Sequence, residues 1–250
     1  DTVMAFQPSA YKSAQPKPLP VILLLDGSGS MSVSGKIEAL NEAVQVMIRQ
    51  FAEEAQKDRE IWVSIILFNG DRARVHTPYT PVQELQTKGF APLQADGYTP
   101  LGGALTLAKE MIEDKGKTPS RAYRPAVILV SDGEPNDEWE EPMQAFMEGR
   151  SAKCQRFAMP IGPDANRSRA IRQFLGEDCI ENLFYADKAA DIAHAFNCIT
   201  MSVSQRVRSR DPNVVVVSRA AAQSAPAAET PADPEPKPTR RPSGHGARMF

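Results

Sequence analysis

Histidine and cysteine are scarce in this chain of 250 residues, three of each. His76, His194 and His245 are scattered, as are Cys154, Cys179 and Cys198, at no spacing that builds a zinc site. The cysteines read as small buried hydrophobes in a reducing compartment, so a cytoplasmic location is expected. Long apolar runs are missing too. The longest strong one, Val21–Leu25, falls far short of the ~18 residues of a membrane span. Residues 1–20 hold no apolar signal-peptide core. The chain starts at Asp1 rather than Met, which leaves a removed leader or a native start at Met4 open. Neither charge dominates: 29 Lys+Arg stand against 31 Asp+Glu, net -2. That excludes a strongly basic nucleic-acid binder as the default.

Catalytic signatures are equally absent. There is no complete G-x-x-x-x-G-K-S/T phosphate loop and no G-x-S-x-G elbow. An aspartyl-nucleophile phosphatase would want a second Asp two residues after Asp26, where this chain has Ser28. No general base stands out, and no enzyme is expected.

Proline is abundant but uneven. Residues 1–20 hold 4, residues 220–250 hold 6, and the stretch between holds 11. The expected organisation is an N-terminal extension (1–17), one compact domain (18–206), a connecting segment (207–219) and a Pro/Ala-rich disordered tail (220–250). Val214–Val217 in the connecting segment could add an edge strand. The tail combines Pro231, Pro234, Pro236 and Pro238 with Lys237, Arg240, Arg241 and Arg248, which suits a solvated tail or a tether.

Within the domain, continuous apolar runs at 20–26, 61–68 and 125–131 read as buried parallel strands. Residues 73–77 predict a short antiparallel strand after the turn Asn69-Gly70-Asp71, broken by Pro78 and Pro81. Weaker strands are expected at 156–161 and 182–186. Apolar residues at steps of three and four mark helices: Ile37, Leu40, Val44, Met47, Ile48, Phe51; Leu101, Ala104, Leu105, Ala108, Met111, Ile112; and Ile192, Phe196, Ile199, Val203. Shorter helices are expected within 138–150 and near 166–175. Thr99 and Pro100 are positioned as N-cap and first residue of the second of these helices. The alternation predicts an α/β fold, doubly wound, with a mostly parallel six-stranded sheet in order 3-2-1-4-5-6 and one antiparallel edge strand.

Three segments sit at strand ends or helix starts: Asp26-Gly27-Ser28-Gly29-Ser30, Thr99 and Asp132. In an open α/β sheet the strand order reverses where the first strand and the strand ending at Asp132 lie side by side, so Asp26 and Asp132 should meet. Their side chains supply two carboxylates and three hydroxyls, all oxygen. Such a set suits a hard ion, Mg²⁺ or alternatively Mn²⁺ or Ca²⁺. Neutral hydroxyls leave the ion electrophilic, able to accept a carboxylate from another protein. The two carboxylates should repel, so removing Asp26 or Asp132 is expected to spare the fold. The bland alternatives are a flexible Gly/Ser turn, an N-cap at Thr99, and a solvated acidic run (Asp132, Glu134, Asp137, Glu138, Glu140, Glu141).

Asp-Gly-Ser-Gly-Ser after an apolar strand, Thr-Pro-Leu-Gly, and Val-Ser-Asp-Gly-Glu after another strand resemble a von Willebrand factor A domain with a metal-ion-dependent adhesion site. The resemblance covers residues 18–206. It implies Asp26, Ser28, Ser30, Thr99 and Asp132 as the metal set. The phrasing around Leu19-Pro20, Thr99–Leu105 and Asp132–Pro135 is similar to bacterial tellurium-resistance and stress-operon members of that family. That subgroup implies a scaffold beside a protein kinase and a phosphatase. The runner-up readings are a subunit of an AAA+ ATPase or chelatase assembly, and a Mg-dependent hydrolase.

Overall fold

The computed structural model describes residues 16–55 and 59–213. The connecting segment from 214 onward, the Pro/Ala-rich tail and residues 1–15 lie outside them.

The first apolar run becomes β1 (Lys17–Asp26). It is the central strand, and both its faces are buried. Val21, Leu23 and Leu25 pack on one side, Ile22 and Leu24 on the other. Each such side chain is worth on the order of 1.5–3 kcal/mol relative to exposure. β2 (Arg59–Asn69) flanks β1 in parallel, and β4 (Ala126–Ser131) flanks it in parallel on the other side. β3 (Arg72–Pro81) pairs antiparallel with β2, and β5 (Gln155–Pro160) parallel with β4. The sheet order is β3-β2-β1-β4-β5.

The predicted helices form on their apolar stripes. α1 (Lys36–Glu54) and α7 (Ala189–Arg208) cover one face of the sheet, together with α2 (Val82–Lys88). α3 (Leu101–Glu113), α4 (Glu140–Phe146) and α6 (Arg169–Leu175) cover the other. A single turn, α5 (Gly162–Ala165), follows β5. α7 runs two residues past the expected domain limit at 206. No helix among the described residues is long and apolar enough to cross a membrane.

Three expectations need correction. First, β3 does not stop at Pro78. It continues to Pro81 through a register shift in its pairing with β2. As the sheet's edge strand, it tolerates prolines that a central strand would not. Second, α2 had no counterpart in the sequence reading.

Third, among the described residues the sheet has five strands, not six. Residues 183–186 lie beside β5 but make only isolated bridges, Leu183 to Ala158 and Ala186 to Ile161. The even-numbered residues of β5 face this segment: Ala158 and Pro160 carbonyls accept from the Phe184 and Ala186 amides, and the Gly162 amide donates to the Ala186 carbonyl. Pro160 has no N–H, so the bond that would join the two bridges through the Phe184 carbonyl cannot form.

Candidate metal centre

The register of β1 against β4 builds the centre. Leu25 pairs with Val130, so the next residues, Asp26 and Ser131, emerge side by side at the carboxyl ends of both strands. The Ser131 hydroxyl donates to Asp26 Oδ2 at 2.6 Å, and the Ser28 amide donates to Asp26 Oδ1 at 2.7 Å. The Asp132 amide adds a longer contact to Oδ2, 3.4 Å. Asp26 is fully buried. Burial pushes its carboxyl above the ordinary range, the Ser131 hydroxyl and Ser28 amide pull it back, and Asp132 adds the smallest upward push.

Past Asp26 the chain turns through Gly27 to Gly29 and enters short 3-10 turns over Gly29–Gly35. This brings Ser28 and Ser30 together, with their Oγ atoms 3.0 Å apart. Ser30 Oγ donates to Asp132 Oδ1 at 2.6 Å. A hydroxyl has a single proton, so Ser28 is then the donor to Ser30. The protons thus run toward Asp132, and lone pairs on both hydroxyl oxygens stay free.

Thr99 is buried in the adjoining loop. It forms no hydrogen bond with the other four, but its loop is tied to theirs. The Gly29 amide donates to the Gly97 carbonyl at 2.9 Å, and the Tyr98 amide donates to the Gly70 carbonyl at 2.9 Å. The Thr99 amide donates to Asn136 Oδ1, four residues beyond Asp132. Four of the five predicted residues are therefore joined by direct hydrogen bonds, and the fifth by backbone.

Two residues were missed. Lys36, the first residue of α1, pairs with Asp132 Oδ2 at 2.6 Å. The sequence held one signal for it: a cation in the first turn of a helix opposes the helix dipole and asks for a local reason. Asp137, read as part of a solvated run, accepts from the amides of Gly102 and Gly103, both at 3.1 Å. It caps α3 from a distant loop. The expected N-cap, Thr99, makes no side-chain cap, and Pro100 occupies that position. Gly102 lets the loop close in, since a Cβ there would collide with the Glu138 carbonyl. Asp137→Ala should cost about 1–2 kcal/mol, the usual worth of a helix cap, read as a lowered denaturation midpoint. An unchanged midpoint would mean that water replaces the carboxylate without loss.

The expectation that either carboxylate is dispensable also changes. Repulsion is the weakest influence on Asp26, and Lys36 faces Asp132.

The fold is that of a von Willebrand factor A domain. Residues 21–134 match the family model of the von Willebrand factor type A domain. An uncharacterised protein of Mycobacterium tuberculosis is 28% identical over 113 residues, covering 45% of this chain and 17% of that protein. Among solved structures, a von Willebrand factor type A protein from Catenulispora acidiphila aligns with TM-score 0.57 at 20% identity, over 75% of this chain and 42% of that one. The vWF domain of the type V pili tip protein Mfa5 from Porphyromonas gingivalis gives TM-score 0.59 at 11% identity, over 78% and 98%. Proximal thread matrix protein 1 from the mussel byssus, solved with a zinc-occupied adhesion-site motif, gives 0.55 at 12%, over 74% and 48%. This chain thus spans a minor part of the mycobacterial and Catenulispora proteins.

Proposed function

We propose that this domain is a non-enzymatic protein-interaction module that holds one divalent ion, Mg²⁺ in the first instance, through Asp26, Ser28, Ser30, Thr99 and Asp132. The observation that carries the reading is the Ser28–Ser30 spacing. Adjacent ligands of an octahedral ion with metal–oxygen distances of about 2.0–2.1 Å lie about 2.9 Å apart, and the two hydroxyl oxygens are 3.0 Å apart. Their protons are already directed toward Asp132, which leaves lone pairs for a cation. No group of three or more His, Cys, Asp or Glu that could hold a metal ion is found among the described residues; the donor set here is one of hydroxyls backed by two carboxylates. Such a set binds a hard ion while leaving it short of negative charge.

A bound ion would supply a Lewis-acidic position for one further oxygen, which fits an Asp or Glu from a partner protein. The surroundings suit a partner. Tyr98 is 68% exposed and Val33 57%, on the loops carrying Thr99 and the serines. Tyrosine is among the residues enriched at binding hot spots. Zinc in the mussel protein's adhesion-site motif supports divalent binding in this fold. A kinase–phosphatase stress system is the setting we carry from the sequence resemblance, with an AAA+ assembly as the second reading. The three unpaired cysteines agree with a reducing, cytoplasmic setting.

Calorimetric titration with Mg²⁺ tests the site. Wild type should bind one ion, and Ser28→Ala and Asp132→Ala should lose about tenfold or more in affinity, as changes in or next to a metal's ligands do. Equal binding by all three would refute it. Capture of a partner in Mg²⁺ that is lost in EDTA tests the interaction.

A further inference from the structure

The reading above does not account for Lys36. Its ammonium lies 2.6 Å from Asp132 Oδ2, and the side chains are 20% and 1% exposed, respectively. Ser30 holds the other oxygen of the same carboxylate. The chain reaches Lys36 through two left-handed residues, Ser34 (φ 58°) and Gly35 (φ 74°). Such a φ is uncommon for serine. The turn sets Lys36 at the start of α1, where the helix dipole disfavours a cation. A contact kept against both preferences serves Asp132 rather than the helix.

We propose that Lys36 is a tethered cation that competes with the divalent ion for Asp132 and so weakens metal loading in the free protein. This rests on the metal-site reading above. The charges state the case. Asp26, Asp132 and Lys36 sum to one negative charge. A divalent ion added with Lys36 in place leaves one positive charge, and a partner's carboxylate then restores neutrality. While Lys36 holds Asp132 the ion is therefore opposed, and it gains Asp132 fully only when the ammonium leaves. The ammonium sits on a flexible four-carbon stem and is partly exposed, so it can swing into water when the ion arrives. Without the ion it holds Asp132 in position and keeps two neighbouring carboxylates from facing each other unscreened.

The test is Mg²⁺ calorimetry on the full chain for wild type, Lys36→Met, Lys36→Arg and Ser28→Ala, with melting temperatures taken with and without Mg²⁺. Lys36→Met should bind Mg²⁺ about tenfold more tightly, the scale of one nearby charge against a divalent ion even at a water-like dielectric. Its melting temperature should fall without metal, and the rise on adding Mg²⁺ should exceed that of wild type. Lys36→Arg, which keeps the charge, should stay near wild type. Lys36→Met with unchanged or weaker affinity would overturn the proposal and make Lys36 a clamp that only positions Asp132. If Ser28→Ala loses the ion while Lys36→Met matches wild type, this inference alone falls. If wild type binds neither Mg²⁺ nor Mn²⁺, the site reading falls and takes this one with it.

Discussion

Replacing Gly97 with alanine should lower the unfolding free energy by about 3 kcal/mol or more, the range of substitutions that combine steric conflict with backbone strain. Gly97 has φ 60°, in the left-handed region. A Cβ there would lie 2.6 Å from the Gly70 Cα, and backbone cannot rotate away as a side chain can. The two loops cannot simply part, because Gly70 and Gly97 bridge each other and the Gly97 carbonyl accepts from Gly29. Gly35→Ala is the control. Its φ of 74° and ψ of 20° are left-handed, yet the added carbon would meet only the flexible Glu38 carboxylate, at 4.0 Å. It should cost about 1 kcal/mol, the left-handed penalty alone. Chemical denaturation separates the two variants, and equal midpoints would mean the loops do not approach as described. Gly97→Ala should also weaken Mg²⁺ binding, because Thr99 is two residues away on the displaced loop.

The second large effect concerns Asp26. Asp26→Ala should cost about 3 kcal/mol without metal, since buried donors that lose their acceptor cost about 1–3 kcal/mol each. The Ser28 amide is the strictest case, because its bond to Oδ1 is 2.7 Å and the site is buried. The Ser131 hydroxyl is less constrained, with the Gly133 carbonyl 3.2 Å away as a second acceptor. That flexibility separates two variants. In Asp26→Asn the amide oxygen can keep the Ser28 bond. The new NH₂ can donate to Ser131, which then donates to Gly133. Asp26→Asn should therefore retain most of the stability lost in Asp26→Ala, while still losing the charge that favours a divalent ion. Paired denaturation and Mg²⁺ titrations read this. Equal losses of stability would show that these donors need the negative charge itself, not merely an acceptor oxygen.

Much of this was legible in the chain. The run Val21–Leu25 could only be a strand buried on both faces, because it has no polar face to present. The stripe from Ile37 to Phe51 could only be an amphipathic helix. Asp26 and Asp132, 106 positions apart, were brought together by a topological rule, and the Leu25–Val130 register obeys it. Local chemistry misled where a partner came from far away. Thr99-Pro100 has the form of a helix start, yet the cap is Asp137, delivered by a loop whose approach depends on a bare Gly102. The sixth strand fails on a single missing N–H at Pro160, a loss that matters only once it is known which edge of β5 that residue faces.

The sequence by itself determined the layers and supplied five oxygen-bearing residues at strand ends and helix starts, through periodicity and residue type, which are local. The strand order came from the general rule for open α/β sheets. The tertiary structure alone decided how those oxygens are used: which hydroxyl donates to which carboxylate, that Asp26 is held by Ser28 and Ser131, and that Asp132 already has a cation in Lys36. Direction and charge pairing depend on distances of a few tenths of an ångström between segments up to 106 positions apart, and no pattern along the chain encodes them.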